Sequence, residues 1–305
     1  MRVKQDAARA LFLQACWLDV AVRKPGNVSL ASPGHGMDAA MFAASAQAAS
    51  VPLFAVGARV GERIEAAVAA SWAAAGCNTN LGIVLLCAPL AAACELAAEQ
   101  GLHLSRATEA VLEALDLADA QAAYRAIAMA NPGGLGHAEA EDVHRAPRLN
   151  LRAAMSLAAH RDTIAKQYRD AFIDVFAFST TALPSVFSLK ATALGEPADA
   201  LTTLAVQSLC IGLLATLPDS HIVRKHGEVV AQNVMAAAQG FHARQATQAS
   251  FSNDPSFIDW DDSLKAASIN PGTTADLTVA CLLASGLAAM LRKPSPPDGT
   301  DRDTA

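Results

Sequence analysis

Aromatic and charged residues are scarce in this chain of 305 residues. Phe, Trp and Tyr together make up 5% of it and Asp, Glu, Lys and Arg 17%, whereas hydrophobic residues make up 52%. So few aromatic residues argue against a sheet, and so high a hydrophobic content argues against disorder. Because alanine and leucine dominate and both favour helices, we expect an all-α fold. One compact multi-helix catalytic domain is expected over residues 1–292.

Several signatures of common functional classes are absent. The net charge is −6 and no cluster of Lys and Arg with interleaved aromatics occurs, which argues against a nucleic-acid partner. The six cysteines form no C-x-x-C pair, so we expect neither a zinc knuckle nor a dithiol redox site, and we expect a cytoplasmic location. Gly34 to Ala39 fits G-x-G-x-x-A, but no predicted strand precedes it, so a dinucleotide-binding fold is not expected.

Two apolar runs are long enough to raise the question of a membrane. Leu81–Cys94 and Leu277–Leu291 each cover about 15 residues, against the roughly 20 that a bilayer requires. We interpret both as buried core helices and expect no membrane partner.

Helical periodicity dominates the chain. Leu11, Ala15, Leu18 and Val22 share one face of a first helix, and no run of alternating residues predicts a strand. We interpret the glycine-containing loop 131–147 as a functional loop and expect a disordered tail over 293–305. Further helices are predicted from about residue 38 and near 61–75, 80–99, 105–130, 148–178, 197–216, 221–239 and 274–292.

Polar residues concentrate in loops that open or close these helices. In the loop from Asn270 to Asp276, Thr273 to Asp276 fits a capping box before an apolar run. The same helix start, with the hydroxyls of Thr273 and Thr274, could bind an anion. Asp276 could then hold a magnesium ion that bridges phosphates.

The segment from Asp219 to Gly227 carries five chemically active side chains in an otherwise apolar chain. Asp219 precedes a helix, so capping is its ordinary role, but it could also ligate a metal. The other four offer phosphate donors and a proton carrier within two turns, namely His221, Arg224, Lys225 and His226.

Two further loops carry more polar groups than capping needs. Lys24 either complements the dipole of the helix that it ends or binds phosphate. Asn78, Thr79 and Asn80 precede an apolar helix that needs only one cap, so the surplus suggests ligand contacts.

Other polar residues are less specific. For Asp142, His144 and Arg145, ligand contact and loop solvation are equally open, and Asp162 with Lys166 is expected to form an i,i+4 ion pair.

Taken in order, five motifs resemble the triphosphoribosyl-dephospho-CoA synthase family. The resemblance spans roughly residues 10–290. The motifs are Lys24-Pro25-Gly26-Asn27 with Gly34 to Asp38, Gly76 to Gly82, Pro132 to Gly136, Asp219 to Gly227, and Asn270 to Leu277.

This resemblance implies an all-α enzyme that joins ATP to 3′-dephospho-CoA and releases adenine. It also implies sites for the nucleotide and its phosphates, and a metal, expected to be Mg²⁺, to hold the triphosphate. Asp219 and Asp276 suit the metal and catalysis, and His221 or His226 could protonate the leaving adenine. The expected nucleotide-binding or phosphate-binding residues are Lys24, Asn27, Asn78, Thr79, Asn80, Arg224, Lys225, Asn270, Thr273 and Thr274.

The chain departs from the usual family texts at several positions. Asn80 and Leu81 stand where the family has His and Lys, and Ser220 and His221 where it has Thr and Asn. Three alternatives stay open. They are a related ribosyl transfer in the biosynthesis of a pterin or furan cofactor of one-carbon metabolism, a magnesium-dependent N-ribosyl hydrolase, and a non-catalytic nucleotide-binding protein. ATP and a nucleotide-like acceptor are the expected partners, and a homodimer is left open.

Overall fold

A computed structural model describes residues 2–133, 135–138, 140–183, 187–189, 195–245 and 251–292. These residues form helices and loops, with no strand among them, which confirms the all-α prediction. The predicted tail over 293–305 lies outside the described residues. The helices are α1 (Arg2–Ala21), α2 (Ala39–Leu53), α3 (Val60–Ala75), α4 (Leu81–Gln100), α5 (Leu104–Glu113), α6 (Leu117–Ala130), α7 (Leu151–Ala158), α8 (Thr163–Arg169), α9 (Ile173–Thr181), α10 (Ala200–Thr216), α11 (Ser220–His226), α12 (Glu228–Arg244), α13 (Pro255–Ala266) and α14 (Gly272–Leu291).

Several predicted helices are divided by local caps. The segment 105–130 contains α5 and α6, because the carboxylate of Asp116 accepts hydrogen bonds from the N–H groups of Ala118 (2.8 Å) and Asp119 (3.1 Å) and so starts a new helix. The segment 221–239 contains α11 and α12, separated at Gly227, whose φ is +88°. The segment 148–178 contains three short helices, and α13 lies outside every predicted one.

Helices α4 and α14 form the centre of the main hydrophobic core. Helix α14 packs against α1, α4, α9 and α10, while α4 also packs against α3 and α5. Both helices are apolar around most of their circumference because neighbours surround them. Their many alanines let these neighbours approach closely.

The expectation that these two apolar segments are too short to span a bilayer is wrong. Each helix has 20 residues, and by length and composition both could cross a membrane, or three spans could if the bent pair α10 and α11 counts as one. Most of each apolar window is nevertheless buried inside the protein, as expected for core helices.

A second apolar cluster fixes the short helix α11. Ile222 is completely buried against residues of α10, α12 and α13, among them Leu214, Val234 and Leu264. Because its apolar side is held there, α11 presents its polar start and its cations to α14 and to the loop after α6. The fold thus places one predicted motif beside two others.

Candidate active site

The Asp219 carboxylate caps two helices at once. One oxygen accepts the N–H of Ile222 at 3.0 Å, as predicted for the N-cap of α11. The other accepts the N–H of Thr274 at 2.7 Å and its hydroxyl at 2.8 Å. The predicted local capping box of α14 is therefore wrong, since no side chain near Pro271 caps this helix and Asp219 supplies the bond from 55 residues away. Burial raises the pKa of Asp219, while these hydrogen bonds act in the opposite direction.

A second polar contact brings helix α8 to the same point. The Ser220 hydroxyl lies 3.1 Å from the hydroxyl of Thr273, and it accepts the N–H of Thr163 at 3.2 Å. Ser220 and Thr273 are both buried. The starts of α8, α11 and α14 are thus joined by hydrogen bonds of the buried Ser220 and Thr273 hydroxyl groups.

Asp276 extends this meeting point to α4. A Cβ atom added at Gly82 would overlap an Asp276 carboxylate oxygen, lie 2.5 Å from its Cγ and lie 2.8 Å from Ile164 Cδ1. Only glycine at the first turn of α4 therefore leaves room for this carboxylate. Four helix N-termini, those of the long helices α4 and α14 and the short helices α8 and α11, converge here, and their dipoles favour negative charge.

Asp276 itself has no hydrogen-bond or ion-pair partner among the described residues. Burial raises its pKa well above the ordinary value, and the nearby carboxylates of Asp19, Asp219 and Asp162 raise it further. A carboxylate held among others without a donor suits a site that receives a cation or a protonated group.

Two buried nitrogen atoms near these helix starts also lack partners among the described residues. They are Asn80 Nδ2, at the N-cap of α4, and His221 Nε2, on α11. Unpaired buried donors are costly, so both suit contacts with a ligand. The neighbours of Asn80 are used differently, since Asn78 accepts the N–H of Leu81 at 3.2 Å and Thr79 donates to Ser45 at 2.7 Å.

The His221 ring lies on the first residue of α14. A Cβ added at Gly272 would be 3.2 Å from its Nδ1, and Arg224 Nη2 lies 3.4 Å from the same atom. Because arginine only donates, Nδ1 accepts and Nε2 carries the proton. Burial, helped by Arg224 and Lys225, lowers the pKa of His221 to about 4, so its ring is neutral at pH 7.

The remaining cations of α11 reach the loop after α6. Arg224 Nε donates to the carbonyl of Gly133 at 3.0 Å, and its Nη1 lies 3.5 Å from Asp162. The exposed Lys225 side chain packs on Gly133, where an added Cβ would lie 3.1 Å from its Cε. His226 Nε2 lies 3.2 Å from the carbonyl oxygen of Ser268.

The loop of Lys24 to Asn27 packs behind the start of α14. Gly26 has a φ of +69°, and an added Cβ would lie 2.7 Å from the Ile269 carbonyl oxygen. Asn27 donates to Asn270 at 3.0 Å. Two of the predicted motifs therefore touch, and the amides of Asn27 and Asn270 pair with each other.

Lys24 is buried, with 1% of its surface exposed. Its ammonium lies 3.0 Å from a carboxylate oxygen of Asp19 and also donates to the Asp19 carbonyl. The lysine expected to bind phosphate is thus engaged inside the protein, in contact with a partner on α1.

A cavity of about 440 Å³ opens beside Gly82, within the range of small-molecule sites. Its polar rim includes Arg161, Asp162 and Arg224. The predicted ion pair of Asp162 with Lys166 is wrong, because Asp162 pairs with Arg224 and Lys166 pairs with Asp170 and Asp174. Its apolar wall includes Leu81, Leu85, Ile127, Val143, Ala154, Met155 and Ile164.

Gly82, Arg161 and Asp162 are the site residues that sequence reasoning missed. The Gly82 signal was present, since a glycine in the first turn of an apolar helix indicates a close approach. Nothing in the sequence separates Asp162 from an ordinary N-cap.

Comparisons with known proteins agree with this architecture. A family model described as CitG, ATP:dephospho-CoA triphosphoribosyl transferase, matches residues 5–295. No curated protein sequence matches the chain. The crystal structure of a candidate triphosphoribosyl-dephospho-CoA synthase from Archaeoglobus fulgidus is similar, with a TM-score of 0.59 and 22% identity, and covers 79% of this chain and 96% of that one. At this identity the similarity shows a shared fold.

Proposed function

The chain belongs to the ATP:dephospho-CoA triphosphoribosyl transferase family, and we propose that it performs this family's reaction where the four helix N-termini meet. The reaction is substitution at the anomeric carbon of the ATP ribose. The 2′-hydroxyl of the dephospho-CoA ribose attacks, adenine leaves, and the triphosphate stays attached to the transferred ribose. The site must therefore hold a triphosphate, tolerate positive charge on the ribose and assist the departure of adenine.

The observation that carries the proposal is the Asp276 carboxylate, which has no partner among the described residues and lies among four helix starts. The dipoles of α4 and α14 would attract the triphosphate, and Arg224 and Lys225 add positive charge within reach of the rim. Asp276 would face the positive charge that develops on the ribose as adenine departs. The apolar cavity beside Gly82 would receive a base or part of the acceptor.

The donor set also fits Mg²⁺, which prefers oxygen ligands. Asp276 is the better candidate ligand, because three hydrogen bonds already occupy the buried Asp219. Asp219 would position Asp276 indirectly, because its hydrogen bonds to Thr274 hold the start of α14 in place. When bound, Mg²⁺ supplies positive charge that neutralises the triphosphate.

We propose that His221 acts mainly as a hydrogen-bond donor to the ligand, through its Nε2–H. Its ring is neutral at pH 7, its Nδ1 faces Arg224, and its Nε2–H is buried without a partner among the described residues. A neutral N–H aimed at the ligand can orient it or stabilise a departing nitrogen without first carrying a full charge.

The test measures adenine by mass spectrometry after purified protein is incubated with ATP and Mg²⁺, with and without 3′-dephospho-CoA. We expect adenine and a coupled triphosphoribosyl product only when the acceptor is present. Adenine released equally without the acceptor would indicate a hydrolase and overturn the proposed transfer. No adenine in either mixture would overturn this pair of substrates.

A further inference from the structure

A second group of side chains that could ligate a metal lies beside the cavity, whose lining includes Asp142. His137, Asp142 and His144 each offer one ligand atom, and these atoms all lie within 4.8 Å of one another. The group is separate from Asp276, and the function proposed above does not use it. No other group of this kind occurs in the described ranges.

The carboxylate at its centre is fixed by the backbone. Asp142 is 5% exposed and accepts the N–H groups of His144 at 2.9 Å and of Ala138 at 3.1 Å. These two backbone donors hold the Asp142 carboxylate in place between the two histidines.

The two imidazoles approach this carboxylate from solvent. His137 Nδ1 lies 3.1 Å from Asp142 Oδ2, and the ring centres of His137 and His144 are 5.5 Å apart. An ion pair with Asp142 would explain the position of His137 alone. Because the His137 side chain is 85% exposed, that pair would contribute little to stability. It does not explain why the second ring also comes within ligand distance.

We propose that His137, Asp142 and His144 bind one transition-metal ion of the Zn²⁺ class. Two imidazole nitrogens and one carboxylate oxygen match Zn²⁺, Co²⁺ or Ni²⁺ better than Mg²⁺, which prefers oxygen. Three protein ligands leave a coordination position open for water or a ligand group. Since Ala138, Asp142 and Val143 line the cavity, the ion would lie at the cavity rim.

The test uses the full chain, stripped with a chelator and titrated with Zn²⁺ by calorimetry and with Co²⁺ by visible absorption. The variants are His137→Gln and His144→Gln, both at exposed positions. His160→Gln is the matched control because that ring is also exposed and lies in hydrogen-bond range of the Leu157 carbonyl oxygen, away from the proposed ligands. We expect one Zn²⁺ per chain and Co²⁺ absorption bands of a site with nitrogen ligands. Each site variant should lose about tenfold or more in affinity, whereas His160→Gln should not.

Wild-type affinity in both site variants would overturn the proposal, as would an equal loss in His160→Gln. Displacement of Zn²⁺ by an equal concentration of Mg²⁺ would also overturn it. The measurement contains neither ATP nor acceptor, so its outcome is independent of whether the proposed transfer occurs.

Discussion

Helix α4 contacts a charged side chain near each of its ends, and the two side chains differ in how many hydrogen bonds they make. Near its C-terminal end, Arg63 of α3 is 1% exposed and donates to Glu95 (2.7 Å) and to the carbonyls of Leu53 (2.8 Å) and Ala58 (2.9 Å). About 20 Å away along the helix, at Gly82, the Asp276 carboxylate has no partner among the described residues.

The difference separates structural charge from functional charge. A buried guanidinium whose three nitrogens each donate a hydrogen bond within the protein holds α2, α3 and α4 together. A carboxylate crowded by other carboxylates lowers stability and persists where binding uses it. The following experiments test this contrast, starting with the largest expected effect.

Asp276→Asn should remove catalysis and raise stability. We expect adenine release to fall about 10³-fold, comparable to the loss of a main electrostatic group. Burial raises the folded-state pKa of Asp276 above its unfolded value, so the wild type loses stability as pH rises above about 4. The melting temperature of the variant should therefore exceed that of the wild type at pH 7, and the gap should shrink towards pH 4.

Asp259→Asn is the control for this variant, since Asp259 is exposed on α13, and it should change neither activity nor melting temperature. Full activity in Asp276→Asn would remove the carboxylate from the mechanism.

Arg63→Met should have the opposite profile. It leaves Glu95 Oε1 and two carbonyl oxygens without the Arg63 donor, while Gly57 still donates to the other Glu95 oxygen. We expect a loss of about 3 kcal/mol in the free energy of unfolding, measured in urea. At a temperature where the variant is folded, kcat should stay within about twofold of the wild type. Arg106→Met breaks an exposed pair with Glu109 and should cost less than about 0.5 kcal/mol. A large fall in kcat for folded Arg63→Met would show that this end of α4 also serves catalysis.

Gly82→Ala should disturb the site through one methyl group. The added Cβ would displace the Asp276 carboxylate, and we expect adenine release to fall about 10²-fold. Gly240→Ala, in α12, meets nothing within 4 Å and should leave activity unchanged while adding roughly 0.5 kcal/mol of stability. Equal activity in the two variants would mean that the contact with Asp276 carries no function.

His221→Gln should reduce adenine release less than the preceding site variants, and it should change how stability depends on pH. Because the pKa of His221 is lowered to about 4 in the folded protein from about 6.5 when unfolded, the unfolded chain binds more protons between these values. The wild type should lose roughly 3 kcal/mol as pH falls from above 6.5 to about 4, with little slope well above 6.5. The variant should lack this component, and His160→Gln should retain it. Identical pH profiles for wild type and His221→Gln would place the ring in water.

Local patterns predict the helices well and their interruptions less well. Asp116 with Asp119 forms a capping box, and Asp254 before Pro255 is a strong start signal for α13. Both signals can be found in the sequence, but the apolar periodicity continues on either side of Asp116 and predicts one helix there instead of two. The predicted helices 80–99 and 274–292 match α4 and α14 closely, but the membrane expectation counted only their apolar stretches and so fell short of the 20 residues of each helix.

The candidate site is predictable only in its parts. The motif loops lie at helix starts, as their residue types indicate. Which starts meet depends on tertiary packing, so the bond from Asp219 to Thr274 and the contact of Gly82 with Asp276 have no local signal. The burial of Lys24 against Asp19 also depends on tertiary packing, because the residues around the turn, and not the sequence of the turn itself, determine where the ammonium group lies.

The anion-attracting centre is built largely from main chain, and this has an evolutionary consequence. A helix dipole does not depend on which side chains its first turn carries, whereas the spacing between the four helix starts depends on Gly82 and on the shared cap of Asp219. Under the proposed function, substitutions at positions such as 80 and 81, where this chain differs from its family's usual motifs, would change the side chains that a ligand meets and leave the helix starts, and with them the proposed triphosphate site, in place.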